Sequence, residues 1–210
     1  MSIEIKKSIK PVDYSFAISL LEERLEKVIN NEANELIWFL EHETIYTAGS
    51  SFRKSEIIDK SIKVIKTSRG GKLTCHSPGQ LVCYFVIDLT KRKKDIRKFI
   101  ISLENTIIDT LKEFKIKSHS DRKNIGIWVN HINENKKIGA IGIRVKKWIA
   151  YHGFSININN NLDYFNKIIP CGLKDKKVIT LSDISKIDYL KFRNMLEKKL
   201  IKNLSVLNYS

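Results

Sequence analysis

The chain has 210 residues, and 38 lysines and arginines against 23 acidic residues give it a net charge of +15. At about 150 residues per domain this length fits one domain spanning 1–210. With 42% hydrophobic residues, 29% charged residues, three prolines and three cysteines, the composition excludes a disordered chain, a disulfide scaffold and a membrane-spanning helix.

Residues 1–10 alternate charged and apolar side chains and lack the apolar stretch of a signal peptide, so a soluble cytoplasmic protein is expected. Asp13 is a helix N-cap, followed by an apolar stripe of Phe16, Ala17, Leu20, Leu21, Leu25 and Val28. Residues 35–40 read as a buried strand, 62–66 as a short strand, and 81–89 as a longer apolar strand. Asp95 caps a second helix, with Phe99, Ile100, Leu103, Ile107, Leu111 and Phe114 at helical spacing. A strand at 125–129 precedes an antiparallel hairpin of 137–145 and 149–158, turning near Lys146 and Lys147. A last helix over 188–202 carries Leu190, Met195, Leu196 and Leu200. Helices mixed with antiparallel strands predict an α+β fold, a mixed sheet with flanking helices.

Three stretches interrupt these patterns. In Ser68-Arg69-Gly70-Gly71-Lys72-Leu73-Thr74-Cys75-His76-Ser77-Pro78-Gly79-Gln80, paired glycines let the backbone approach a ligand and Arg69 adds a planar cation. In Lys136-Lys137-Ile138-Gly139-Ala140-Ile141-Gly142-Ile143-Arg144-Val145, glycines inside a strand mark a bulge or a close backbone approach. In Ile168-Ile169-Pro170-Cys171-Gly172-Leu173, a cysteine lies on a turn between proline and glycine. Cys83 reads as an inert core thiol, whereas Cys75, beside His76, is a rival nucleophile. No Cys-x-x-Cys pair or histidine cluster suggests a metal.

Taken with His152-Gly153-Phe154-Ser155-Ile156-Asn157, these motifs resemble, in order and spacing, the lipoyl(octanoyl) transferase family over residues 35–184. Ser77 departs from the glycine usual in the family's His-Gly-Pro-Gly-Gln motif. The resemblance implies the α+β catalytic module shared with biotin and lipoate protein ligases. The implied reaction takes an octanoyl group from octanoyl-acyl carrier protein onto a cysteine, then passes it to a lysine of apo lipoyl domains. Those domains belong to the E2 subunits of 2-oxoacid dehydrogenases and to the glycine cleavage H protein. No cofactor or metal is implied. On the matching positions, Cys171 is the nucleophile and Lys137 its partner. Arg69, Gly70, Gly71, Lys72, Leu73, Thr74, Cys75 and His76 contact substrate, as do Ala140, Ile141, Gly142, Gly153, Phe154 and Ser155.

The residue chemistry suits this assignment. A free cysteine of pKa about 8.5 is only slightly ionised at neutral pH, and a lysine ammonium beside it favours the thiolate. Lys137, transiently neutral, or His76 would take the proton of the incoming lysine. The positive charge either steers an acidic carrier protein or reflects a lysine-rich composition. An ATP-dependent lipoate or biotin protein ligase is the alternative on the same fold, and it needs no nucleophilic cysteine. A nucleic-acid-binding module lacks a zinc-finger or RNA-recognition signature here.

Overall fold

The computed structural model describes residues 2–170 and 178–207. In chain order its elements are β1 (Ile3–Lys7), α1 (Tyr14–Ile29), β2 (Glu35–Leu40), β3 (Ile45–Ala48), β4 (Val64–Lys66), β5 (Leu73–His76) and β6 (Gln80–Asp88). They continue with α2 (Ile96–Glu113), β7 (Ser118–Ser120), β8 (Ile127–His131), β9 (Glu134–Lys146), β10 (Ile149–Asn157) and α3 (Tyr189–Val206). Seven strands form one sheet in the order β1-β2-β6-β10-β9-β8-β7, and β4-β3-β5 form a second. The pairs β1/β2 and β3/β4 are parallel and the other named pairs antiparallel, which is the mixed α+β architecture expected.

Each helix starts where an aspartate can satisfy an otherwise unpaired backbone N–H. The carboxylates of Asp13, Asp95 and Asp188 accept from Phe16 N, Lys98 N and Lys191 N at 2.8, 2.9 and 2.9 Å. Such a cap contributes about 1 kcal/mol. The buried stripe of α1 begins two residues earlier than the sequence suggested, at Tyr14, and runs through Ala17, Leu21, Leu25 and Val28. Phe16, expected inside, is 58% exposed because it falls off that stripe. In α3 the buried line is Phe192, Leu196, Leu200 and Leu204, so Leu190 stays outside. The expected strand at 62–66 is paired only over Val64–Lys66.

Strand alternation sorts the apolar residues into two layers. Leu36, Trp38 and Leu40 of β2 pack with α1 on one face of the large sheet. Ile37 and Phe39 join Phe99, Leu103 and Ile107 of α2 and Phe192, Leu196 and Leu200 of α3 on the other. A third apolar group lies under the small sheet. The β9–β10 hairpin turns on Lys147 and Trp148, both at positive φ (47° and 66°), as a two-residue primed turn requires. A buried Arg92 clamps Glu35 with two hydrogen bonds, 2.6 and 2.9 Å, tying β2 to the turn after β6. Among the described residues no helix is long and apolar enough to cross a membrane.

Candidate active site

A cavity of about 600 Å³ opens over the α1 side of the large sheet. That volume lies within the range of small-molecule sites. Its floor is set by strand register. Ala140 of β9 stands opposite Ser155 of β10, which stands opposite Val82 of β6, and in the next row Gly142, Gly153 and Tyr84 line up. Small residues on β9 and β10 leave the space, while Val82 and Tyr84 bound it.

The stretch from Arg69 to His76 covers this floor. Gly70 N donates to Ile143 O at 3.1 Å, so loop backbone lies directly on strand backbone. A Cβ on Gly70 would come within 2.8 Å of Ile143 O, and one on Gly142 within 3.1 Å of Gly70 O. The Arg69 guanidinium braces the loop by donating to Thr47 O (2.6 Å), Thr47 Oγ1 (3.0 Å) and Gly70 O (3.0 Å).

Lys137 lies towards the start of β9 and is 7% exposed. Its Nζ donates to Ile125 O at 2.8 Å and stands 5.4 Å from the centre of the Trp128 ring. Ile179 N donates to Lys137 O at 3.0 Å, and Val178 bridges to Lys137. On the other side of Cys171, Ile168 bridges to Ile57 and Ile169 N donates to Glu56 O at 2.7 Å. Cys171, the expected nucleophile, lies outside the described residues.

A hydrogen-bond chain runs from the cavity wall to the segment beside Lys137. His76 Nδ1 donates to Gln80 Oε1 (2.6 Å), Gln80 Nε2 to Asn157 Oδ1 (2.8 Å), and Asn157 Nδ2 to Ile179 O (3.2 Å). That arrangement makes Nε2 of His76 the acceptor nitrogen. Burial, reinforced by the neighbouring His42, pushes the His76 imidazole down to about 3. His42 donates from Nδ1 to Val12 O (2.7 Å) and accepts at Nε2 from the Tyr84 hydroxyl (2.9 Å). Burial lowers its pKa as well. His152, at φ +70°, has Nε2 2.9 Å from Ser68 Oγ, and burial with the Arg69 and Arg144 charges pushes it to about 3.

The structure therefore gathers Lys137, Arg69, Gly70, Gly71, Lys72, Leu73, Thr74 and His76 around one cavity with Ala140, Ile141, Gly142, Gly153, Phe154 and Ser155. Cys75 is the exception and corrects the sequence reading. On β5 it turns with Leu73 into the apolar group of Tyr46, Phe165 and Ile168, and burial pushes its thiol up to about 12. Cys75 is thus a packed thiol that does not line the cavity. The sequence reading also missed Tyr14, Tyr84 and Ile125 on the cavity wall. Tyr14 lay outside the apolar stripe read for the first helix, and Tyr84 and Ile125 read as strand residues.

A family profile described as the lipoyl protein ligase A/B catalytic domain matches residues 13–201. The chain belongs to that family. Within it, the chain is 40% identical over 200 residues to an octanoyltransferase of Ehrlichia chaffeensis, covering 94% of each chain. It is 42% identical over 186 residues to an octanoyltransferase of Zymomonas mobilis, covering 88% of this chain and 86% of that one. These relatives put the chain in the octanoyltransferase branch that its motifs suggested, and make it an acyltransferase. Its fold is that of the ligases. A bi-partite lipoate protein ligase of Thermoplasma acidophilum superposes with a TM-score of 0.73 at 14% identity, over 97% of this chain and 85% of that one. Biotin protein ligase of Aquifex aeolicus gives 0.56 at 17% identity, over 99% and 71%.

Proposed function

We propose that this family member moves an octanoyl group from octanoyl-acyl carrier protein, through a thioester on Cys171, to one lysine of an apo lipoyl domain in the cytoplasm. The acceptors are the lipoyl domains of 2-oxoacid dehydrogenase E2 subunits and the glycine cleavage H protein. The carrying observation is Lys137. It is a buried cation at the wall of a mostly apolar cavity, and its backbone accepts from Ile179, in the segment that follows Cys171.

Protons and charge then balance without any cofactor. The Cys171 thiolate, favoured by the Lys137 ammonium, attacks the donor thioester, and the departing carrier thiolate takes a proton from Lys137. Lys137, now neutral, accepts the proton released as the acceptor amine attacks the octanoyl-enzyme, and Cys171 leaves as thiolate. His76 is the poorer acceptor, because an imidazole held at about 3 does not keep a proton at neutral pH. One thioester is exchanged for another of similar energy, so no nucleotide is needed.

Mixing the protein with octanoyl-acyl carrier protein alone adds one octanoyl group, released by hydroxylamine and mapped to Cys171 by peptide mass spectrometry. Adding an apo lipoyl domain, without ATP, discharges it onto lysine. Modification that runs from free octanoate and ATP, and survives Cys171→Ser, would assign the chain to ligase chemistry instead.

The charge of +15 suits an acidic carrier protein. If it steers that partner, kcat/KM for octanoyl-acyl carrier protein falls severalfold with added salt, while kcat/KM for a small octanoyl thioester stays level. Equal salt dependence for both donors returns the lysine excess to composition.

A further inference from the structure

Lys137 faces the cavity because β9 changes its side-chain parity at Ile138, the residue that follows it. Downstream, Ile141, Ile143 and Val145 pack against the α2/α3 core, the first two also reaching the cavity, and the alternate residues Ala140 and Gly142 form the cavity floor opposite Ser155 and Gly153. Regular alternation would put Ile138 on the cavity side and Lys137 in the core. The opposite is observed, with Ile138 fully buried in the α2/α3 core and Lys137 lining the cavity. The ladder explains the reversal. Ile127 of β8 stands opposite Gly139, but Trp128 stands opposite Lys137, so Ile138 is an extra residue on β9. A bulge of this kind re-aims the side chain next to it, here Lys137.

The partner strand completes the arrangement. The Trp128 indole donates from Nε1 to Asn124 O at 2.9 Å, which holds the turn whose next carbonyl, Ile125 O, accepts from Lys137 Nζ. Gly126 follows at φ +142°, a region essentially confined to glycine. A Cβ there would overlap Lys137 Cε and lie 2.9 Å from Nζ and 2.6 Å from Gly139 O.

We propose that Gly126 and Trp128 are positioning residues for octanoyl transfer. The Asn124–Gly126 turn and the β9 bulge form a cradle that fixes where the Lys137 ammonium stands. This rests on the role proposed for Lys137 above.

The test compares Gly126→Ala, Trp128→Phe and Lys137→Met in the full chain. The readouts are kcat and KM with octanoyl-acyl carrier protein, the pH profile of thiol alkylation, and the melting temperature. Gly126→Ala is expected to lower kcat by about a hundredfold, the cost of a misplaced reacting group, with KM within about twofold, and to move the alkylation profile to higher pH. Trp128→Phe keeps an aromatic face but loses the N–H to Asn124, and shifts both readouts the same way by less. If Gly126→Ala does not fold, Trp128→Phe decides alone. Lowered melting with wild-type kcat and alkylation profile in the folded variants would overturn the proposal, provided that Lys137→Met is inactive. If Lys137→Met itself leaves activity and profile unchanged, the role of Lys137 fails first, and the cradle with it.

Discussion

Lys137→Met lowers kcat for octanoyl transfer by at least about a hundredfold, within the range contributed by one positioned acid–base group. Methionine is unbranched and fills most of the volume of the lysine stem, so the sheet closes around it. What disappears is charge and a transferable proton. On the proposed mechanism Cys171 loses the ammonium that favours its thiolate, and its alkylation profile moves towards the ordinary thiol range near pH 8.5. The Ile125 carbonyl, left without the 2.8 Å donor, costs about 1–3 kcal/mol of stability. The kinetic loss and the alkylation shift are measured on the same preparation. An inactive variant with an unshifted alkylation profile would confine Lys137 to proton transfer and assign the thiolate to another group.

Folding stability drops steeply between pH 7 and pH 5. His76 and His152 are buried, and both are held neutral in the folded chain, at about 3. Unfolded, each titrates near 6.5. Between those values the unfolded chain binds more protons than the folded one, so stability is full above about pH 6.5 and is lost as pH falls. At pH 5 the difference is about 2 kcal/mol for each histidine, and it changes little if the folded value is anywhere below 4. His42, also lowered, adds in the same direction. Ordinary carboxylates titrate near 4, so this window isolates the histidines. Urea unfolding at the two pH values measures the loss, and His152→Gln removes about half of the share of the first two. Stability that is flat from pH 7 to 5 would mean that these imidazoles are reached by solvent in the folded chain.

The sequence was most informative where one physical rule acts alone. The three aspartate caps, the buried β2, and the hairpin of β9 and β10 follow from side-chain type and spacing. The short strands β1, β3, β5 and β7 escaped because three to five residues carry too little periodicity, and their pairing is settled by neighbours distant in the chain. In the site, paired glycines marked the close approach of Gly70 to β9, and they did so through sterics that any reader of the chain can apply. The orientation of Lys137 was not legible. Gly139 hinted at a bulge, but its parity emerges only when β8 is laid beside β9. Cys75 was misread for the same reason. Beside His76 it looked reactive, and only the pairing of β5 with β3 shows which way the thiol turns.

The meeting of Gly70 and Gly142 also constrains how the chain can change through mutation. Each glycine is hemmed in by the other strand's carbonyl: Gly70 by Ile143 O, Gly142 by Gly70 O. A Cβ on Gly70 would wedge the covering loop off its floor, and one on Gly142 would press tightly on the loop carbonyl; no substitution at the other glycine relieves either contact, because the obstacle is main chain. Compensation by a second side chain, the ordinary escape from a harmful mutation, is closed at this contact. Drift can recolour the rim of the cavity, where Lys72 and Lys123 stand, while the loop-to-strand crossing remains a fixed point from which diverging sequences can be aligned.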